Sequence, residues 1–248
     1  MKQVAVFCVS YNSDEAYRQY RASLLKAAQK SKDEIRLDIF LVRNTEEDNP
    51  GYFGGIQRQM KNLDITSYDY CILSNVDLTV EEDFFIKLAA YDCAEDTGWI
   101  APRIWSKKEN RDLNPKIRTR YSRKKLLMLR FLHRHHVLHA LYSKTLYHRR
   151  RETAMTHTGP TYAGHGSFII LTRRFFKECG IINYPVFLFC EEIYLAELCR
   201  DANLQVIYVP DLIINDSEHV STGHMPSKTY SRLNYQAVDY ILNHFYQE

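Results

Sequence analysis

A hydrophobic run that stops on a carboxylate is the first place to look for chemistry in this 248-residue chain. In YCILSNVDL, Cys71, Ile72 and Leu73 read as a buried strand, and Ser74, Asn75 and Asp77 end it in polar groups. A carboxylate there is either a cap for the helix that follows or a ligand for a cation at the carboxyl edge of a sheet. The ending recurs: VAVFCVSYN closes on Tyr11 and Asn12, RLDIFLVRN on Arg43 and Asn44, and LQVIYVPDLIIND on Asp216. Ligands of open α/β sheets bind outside the carboxyl ends of the strands, so repeated polar endings are what a site would look like, and also what any surface turn looks like. Gly51, Gly54 and Gly55 in NPGYFGGIQRQ, and Gly164 and Gly166 in YAGHGSFIILT, are places where backbone can approach a ligand closely. Plain turn chemistry is the alternative for each.

The elements that must position these residues alternate. A strand at VAVFCVSYN is followed by a turn with Ser13 or Asp14 as a helix cap, and Tyr20, Leu24, Leu25 and Ala28 predict a helix from Glu15 to Gln29. With the strand RLDIFLVRN this is a strand, helix, strand unit of a parallel sheet. A helix is predicted from Glu81 to Tyr91, then a strand at GWIAPRIW. RRFFKECG reads as a short helix stopped by Gly180, the segment after Cys190 as an amphipathic helix, and about 230–247 as a terminal helix with Leu233, Ala237, Tyr240, Ile241 and Phe245 on one face.

Composition is that of an ordinary globular domain, 45% apolar and 25% charged. No apolar run is long enough to span a membrane and the first strand lacks the flanks of a secretory signal, so a cytoplasmic location is expected. The six cysteines lie mostly in apolar runs without C-x-x-C spacing, which argues for reduced core thiols rather than disulfides or zinc. Net charge is +3, but residues 116–151 hold twelve Lys/Arg, five His and no acid, leaving the remainder at −9.

Four stretches in order resemble the family 2 glycosyltransferases of the GT-A fold, in particular the bacterial capsule and O-antigen type: VSYNS, NPGYFGG, ILSNVDL, and Tyr162 to Thr222 with HGSFIIL, FLFCEEIYLAELCR and VIYVPDLIINDSEHVST. The resemblance implies a single α/β domain over 1–248, a mostly parallel mixed sheet flanked by helices, with a basic helical insertion at about 105–160. It implies transfer, with inversion, from a nucleotide diphosphate sugar to a saccharide or lipid-linked acceptor in bacterial surface polysaccharide synthesis.

By the resemblance, Tyr11, Asn12, Asn44, Gly54, Asn75, His165 and Gly166 line the nucleotide-sugar site. Asn75 and Asp77 occupy the D-x-D position as N-x-D, and Asp77 is the expected ligand of Mn²⁺ or Mg²⁺. Glu191 and Glu192 match the acidic pair, Glu192 as general base and Glu191 orienting it or binding acceptor. Their plainer role is to stabilise a helix start.

Two departures stand out. Where the family has Val-Asp-Asn after its second strand, this chain has Val42, Arg43 and Asn44, and an arginine cannot accept a hydrogen bond from a base. The late histidine is replaced by Asp216, with His219 three residues on; either could complete the metal site, and register favours Asp216.

The basic segment interleaves Leu126, Leu127, Leu129, Phe131, Leu132, Val137, Leu138 and Leu141 with Lys, Arg and His, which suits an anionic membrane surface on the inner face of the cell membrane or a contact between copies in a homo-oligomer. Nucleic acid is disfavoured because no reading motif accompanies the charge. A nucleotidyltransferase would need a Gly-rich loop with Lys or Arg after the first strand, and VSYNSDEAY has none. A noncatalytic sugar- or nucleotide-binding relic of the same fold is the remaining alternative.

Overall fold

Alternation along the first strand decides the layering. In the computed structural model, which describes residues 1–135, 155–216 and 225–247, strand β1 (Lys2–Tyr11) sends Val4, Val6 and Cys8 into one core and Ala5 and Phe7 into another. None of the five is exposed, so the strand has to be covered on both faces. Helix α1 (Asp14–Lys30) covers the first face with Tyr20, Leu24 and Ala27, and α2 (Tyr52–Met60) covers the second with Phe53, Ile56 and Met60.

The remaining strands are β2 (Ile35–Asn44), β3 (Tyr70–Asn75), β4 (Leu78–Val80), β5 (Thr97–Ser106), β6 (Arg111–Asp112), β7 (Gly159–Thr161), β8 (Phe168–Thr172) and β9 (Gln205–Asp216). Among the described residues they form one sheet in the order β2-β1-β3-β8-β5-β9-β4, with β6 on β5 and β7 on β9. The parallel pairing predicted for the amino-terminal half holds for β2-β1-β3 and recurs in β5-β9; β8 and β4 run antiparallel to their neighbours, so the sheet is mixed. Helices α3 (Phe84–Ala90), α4 (Arg123–Arg134), α5 (Arg173–Cys179), α6 (Glu191–Asp201) and α7 (Ser227–Phe245) complete the fold. The six thiols are free.

Two element boundaries differ from expectation for physical reasons. The helix predicted from Glu81 begins at Phe84, because Leu78 to Val80 pair with β9 and the Glu81 N–H donates to the Ile213 carbonyl at 3.2 Å. Asp77 therefore precedes a strand and caps no helix. The insertion predicted from about 105 to 160 is shorter, since β5 runs to Ser106, β6 folds back on it and β7 joins β9. Its helical portion among the described residues is α4, capped by the Ser122 hydroxyl, which accepts from the Lys125 N–H.

The start of the basic segment is tied into the body. Arg120 grips the carboxylate of fully buried Glu197 through Nε (2.8 Å) and Nη2 (2.9 Å), and its guanidinium lies 3.9 Å from the Tyr246 ring centroid. Arg200 and the hydroxyls of Tyr162 and Tyr246 also reach Glu197. Burial alone would raise the Glu197 pKa, but Arg120, Tyr162 and Arg200 outweigh it and hold the group below the usual range. Arg130 pairs with Asp239 at 2.9 Å and Leu126 is buried, so α4 is docked on α7, while Met128 and Phe131 face outward. Val137, Leu138 and Leu141 lie outside the described residues.

Candidate active site

Register brings the polar strand ends together. Tyr11 pairs with Asn44 across β1 and β2, and Val9 with Asn75 across β1 and β3, so Tyr11, Asn44 and Asn75 share one edge of the sheet. Tyr11 is 43% exposed there, and Asn12 turns the chain away with a left-handed φ of 49°. The Ser74 hydroxyl just before this edge accepts from the Tyr20 hydroxyl at 2.8 Å, fixing α1 to the strand that carries Asn75.

From Asn75 a chain of contacts leads directly to the acidic pair. The Asn75 N–H donates to the Ser167 carbonyl at 2.9 Å, which lays the 165–167 loop along the end of β3. In that loop His165 Nδ1 and Ser167 Oγ are 2.9 Å apart, and the His165 N–H donates to Asn114 Oδ1 at 2.6 Å. The Gly166 N–H donates to Glu192 Oε1 at 3.2 Å. A β-carbon on Gly166 would stand 3.0 Å from that same oxygen, so only glycine gives the carboxylate this approach without displacement.

The acidic pair itself is aimed by an uncommon turn. Phe189 and Cys190 both adopt positive φ, 77° and 61°, which costs bulky residues strain and is held by the Tyr184 hydroxyl donating to the Phe189 carbonyl at 2.7 Å. The turn delivers Glu191 and Glu192 at the first turn of α6, where the helix dipole favours negative charge. Glu191 folds back to accept from the Phe189 N–H at 2.9 Å. Burial, and then the neighbouring Glu192 charge, push the Glu191 pKa up to about 8.

The glycine loop closes the site on the other side. Gly51 has a φ of 84° and packs so tightly on the Phe187 carbonyl that a β-carbon would fall 2.0 Å from its oxygen. Asn44, expected to contact donor, is buried and donates through Nδ2 to the Gly51 carbonyl at 3.2 Å, bracing this loop; its Oδ1 is buried without a hydrogen-bond partner among the described residues. Gly54 lies in the first turn of α2 against the Pro50 ring.

The loop also carries a residue that sequence reasoning passed over. The Tyr52 hydroxyl is sealed from solvent and has no hydrogen-bond partner among the described residues. Burial raises its pKa well above normal, and the charges of Glu191, Glu192 and Asp77 raise it further. A tyrosine between Gly51 and Gly54 was the available signal.

On the far side, Leu78 of β4 pairs with Asp216 of β9, and Ser106 of β5 pairs with the same aspartate. Asp216 is thus diagonal to Asp77 across the strand pair. Among the described residues no cluster of three His, Cys, Asp or Glu side chains is formed, and His219 lies outside them. Asp77, just before β4, and Asp216, at the end of β9, are hard oxygen donors, a set that fits Mg²⁺ or Mn²⁺ when donor phosphates and water supply the other ligands. Arg43 is directed to Asp14, 3.1 Å away, on the exposed rim. Asp38, in the middle of β2, accepts from the Tyr68 hydroxyl at 3.0 Å, away from the strand ends.

No protein-family model matches this sequence, and no curated protein is similar to it. Solved structures are. GalNAc-T7 with UDP, GalNAc and Mn²⁺ superposes with a TM-score of 0.60 at 13% identity, over 97% of this chain and 48% of that one. The catalytic domain of Drosophila β1,4-galactosyltransferase 7 with xylobiose gives 0.54 at 13% identity, over 94% of this chain and 80% of that one. The chain therefore has the GT-A fold of the glycosyltransferases, an α/β fold with a mixed sheet flanked by helices. It spans about half the length of the GalNAc-T7 chain.

Proposed function

We propose that this protein is a glycosyltransferase that moves a sugar from a nucleotide diphosphate donor to a hydroxyl of a saccharide or lipid-linked acceptor, with inversion, in bacterial surface polysaccharide synthesis. The observation that carries the reading is the unbroken path from the Asn75 strand end through Ser167 and Gly166 to Glu192, in a fold shared with enzymes whose structures hold UDP with Mn²⁺ or a xylobiose saccharide.

In this reading Tyr11 and Asn12 meet the nucleotide, Asn75 the ribose or phosphates, and His165 with the Gly166 backbone the donor sugar. Asp77, with Asp216 or His219, would hold Mn²⁺ or Mg²⁺. When bound, such a cation offsets the charge that develops on the departing diphosphate. Glu192 takes the proton of the acceptor hydroxyl as its oxygen forms the new bond to the anomeric carbon, while the bond from that carbon to the diphosphate oxygen breaks and the nucleoside diphosphate leaves. A proton held on Glu191 removes the like-charge repulsion that a second carboxylate one residue away would suffer.

Outward-facing Met128 and Phe131, beside Lys124 and Lys125 on α4, support attachment to an anionic surface at the inner face of the cell membrane. Among the described residues no helix is long and apolar enough to cross a membrane. The direct test of the function is metal-dependent turnover of a nucleotide-sugar panel. Binding without turnover under every donor and acceptor supplied would favour the noncatalytic alternative.

A further inference from the structure

A cleft of about 490 Å³ separates the end of α4 from the start of α7, and its chemistry is one-sided. Arg134, Lys228 and Arg232 line it with His133, Ser231 and Tyr235, and among the described residues none that lines it is acidic. Lys228 and Arg232 stand four residues apart on α7, a like-charge spacing that costs a helix stability when nothing lies between the charges. Among the described residues neither of them, nor Arg134, forms an ion pair.

The first turn of α7 adds to this field. It contains no acidic residue, Pro226 offers no capping side chain, and the free N–H groups of the first turn open at the same end as Lys228. The independent observation is Ser231. It is 2% exposed, it lines the cleft, and its hydroxyl has no hydrogen-bond partner among the described residues. A buried hydroxyl without a described partner, in a cleft that two cations of the same helix also line, is a donor held for a ligand oxygen.

The cleft also has an address. The Tyr230 ring lies 6.2 Å from the His133 ring and 5.0 Å from that of Phe189, whose N–H is bonded to Glu191. One aromatic layer thus links the cationic cleft to the turn that carries the acidic pair.

We propose that this cleft is an anion subsite for a phosphoryl group of the acceptor, bound by Lys228, Arg232, Arg134 and the Ser231 hydroxyl. The assignment of that anion to the acceptor rests on the proposed glycosyl transfer; the binding of a phosphoryl group does not. Three cations with few competing acids suit a phosphate ester or diphosphate, whether it belongs to a soluble phosphosugar or to a polyprenyl diphosphate carrier.

The test is calorimetric titration of the full chain with inorganic pyrophosphate in EDTA, so that no cation retains it at Asp77. Wild type and Asp77→Asn bind it equally; Lys228→Gln with Arg232→Gln weakens it by about tenfold or more, and Ser231→Ala by a few-fold, with melting curves confirming that each variant is folded. Affinity for the double variant within twofold of wild type overturns the proposal. Flotation with phosphatidylcholine vesicles carrying a polyprenyl diphosphate, against vesicles carrying phosphatidylglycerol, separates the sources. Preference for the polyprenyl diphosphate assigns a lipid-linked acceptor. Pyrophosphate binding without that preference assigns a soluble one, and capture by phosphatidylglycerol alone, without pyrophosphate binding, overturns the subsite. A chain that binds pyrophosphate here yet turns over no nucleotide sugar keeps the subsite and loses the transfer reading; turnover without pyrophosphate binding does the reverse.

Discussion

Gly166 donates its backbone N–H to the carboxylate of Glu192 over 3.2 Å, joining the loop beside the third strand to the start of the sixth helix. A β-carbon on Gly166 would lie 3.0 Å from that carboxylate oxygen and 3.3 Å from its carbon. Gly166→Ala therefore displaces Glu192 by tenths of an ångström in a site where position sets rate. It should lower kcat about tenfold while leaving Tm nearly unchanged, and steady-state kinetics beside a melting curve checks both.

The acidic pair makes a prediction in pH. Glu191 has its folded pKa raised from the ordinary carboxylate range to about 8, so between that range and pH 8 the native state binds a proton that the unfolded chain does not. Stability from this residue is present at acid pH and is lost as pH rises toward 8. Glu191→Gln mimics the protonated group. It should melt close to wild type at pH 5 and higher than wild type at pH 9, whereas a constant difference would remove the burial argument. Glu192→Gln should retain donor affinity and lose transfer; normal transfer would move the base to Glu191.

Tyr52→Phe separates a structural from a ligand-directed hydroxyl. A buried, unpaired hydroxyl costs stability, so its removal should raise stability by about 1 kcal/mol. The same change should weaken donor binding or kcat. A variant that is more stable and fully active would show that the hydroxyl faces no substrate.

Glu197→Ala leaves the Arg120 guanidinium and two tyrosine hydroxyls facing a cavity. Breaking a buried pair of this kind costs roughly 3–5 kcal/mol, about 10 °C in Tm for a domain of this size. Limited proteolysis should then cut between residues 116 and 135 first, since Arg120 ties that segment to the sixth helix.

How far the sequence carried this picture differs from one feature to the next. Strands ending on Asn75 and Asp216 were legible because apolar runs stop there, and the fold followed from their alternation with helices. Antiparallel β8 was not, since HGSFIILT has the same apolar run whichever way its partner runs. The acidic pair was visible at a helix start, but the left-handed Phe189 and Cys190 that aim it were not, because no propensity marks bulky residues for that conformation. Asn44 was legible as a polar strand end, while the packing that turns its amide nitrogen toward the Gly51 carbonyl was not. The basic segment read as a surface for a membrane or another copy of the chain, and the sequence did not show that Arg120 and Arg130 face Glu197 and Asp239, partners far away in sequence.

The central claim is metal-assisted glycosyl transfer centred on Asp77 and Glu192. It is tested most directly by incubating the full chain with a panel of nucleotide diphosphate sugars and following nucleoside diphosphate release, with Mn²⁺ and with EDTA, for wild type and Asp77→Asn. The account predicts release by wild type with Mn²⁺ for at least one donor, and loss of that release both in EDTA and in Asp77→Asn. Equal release by the variant, or in EDTA, would contradict it.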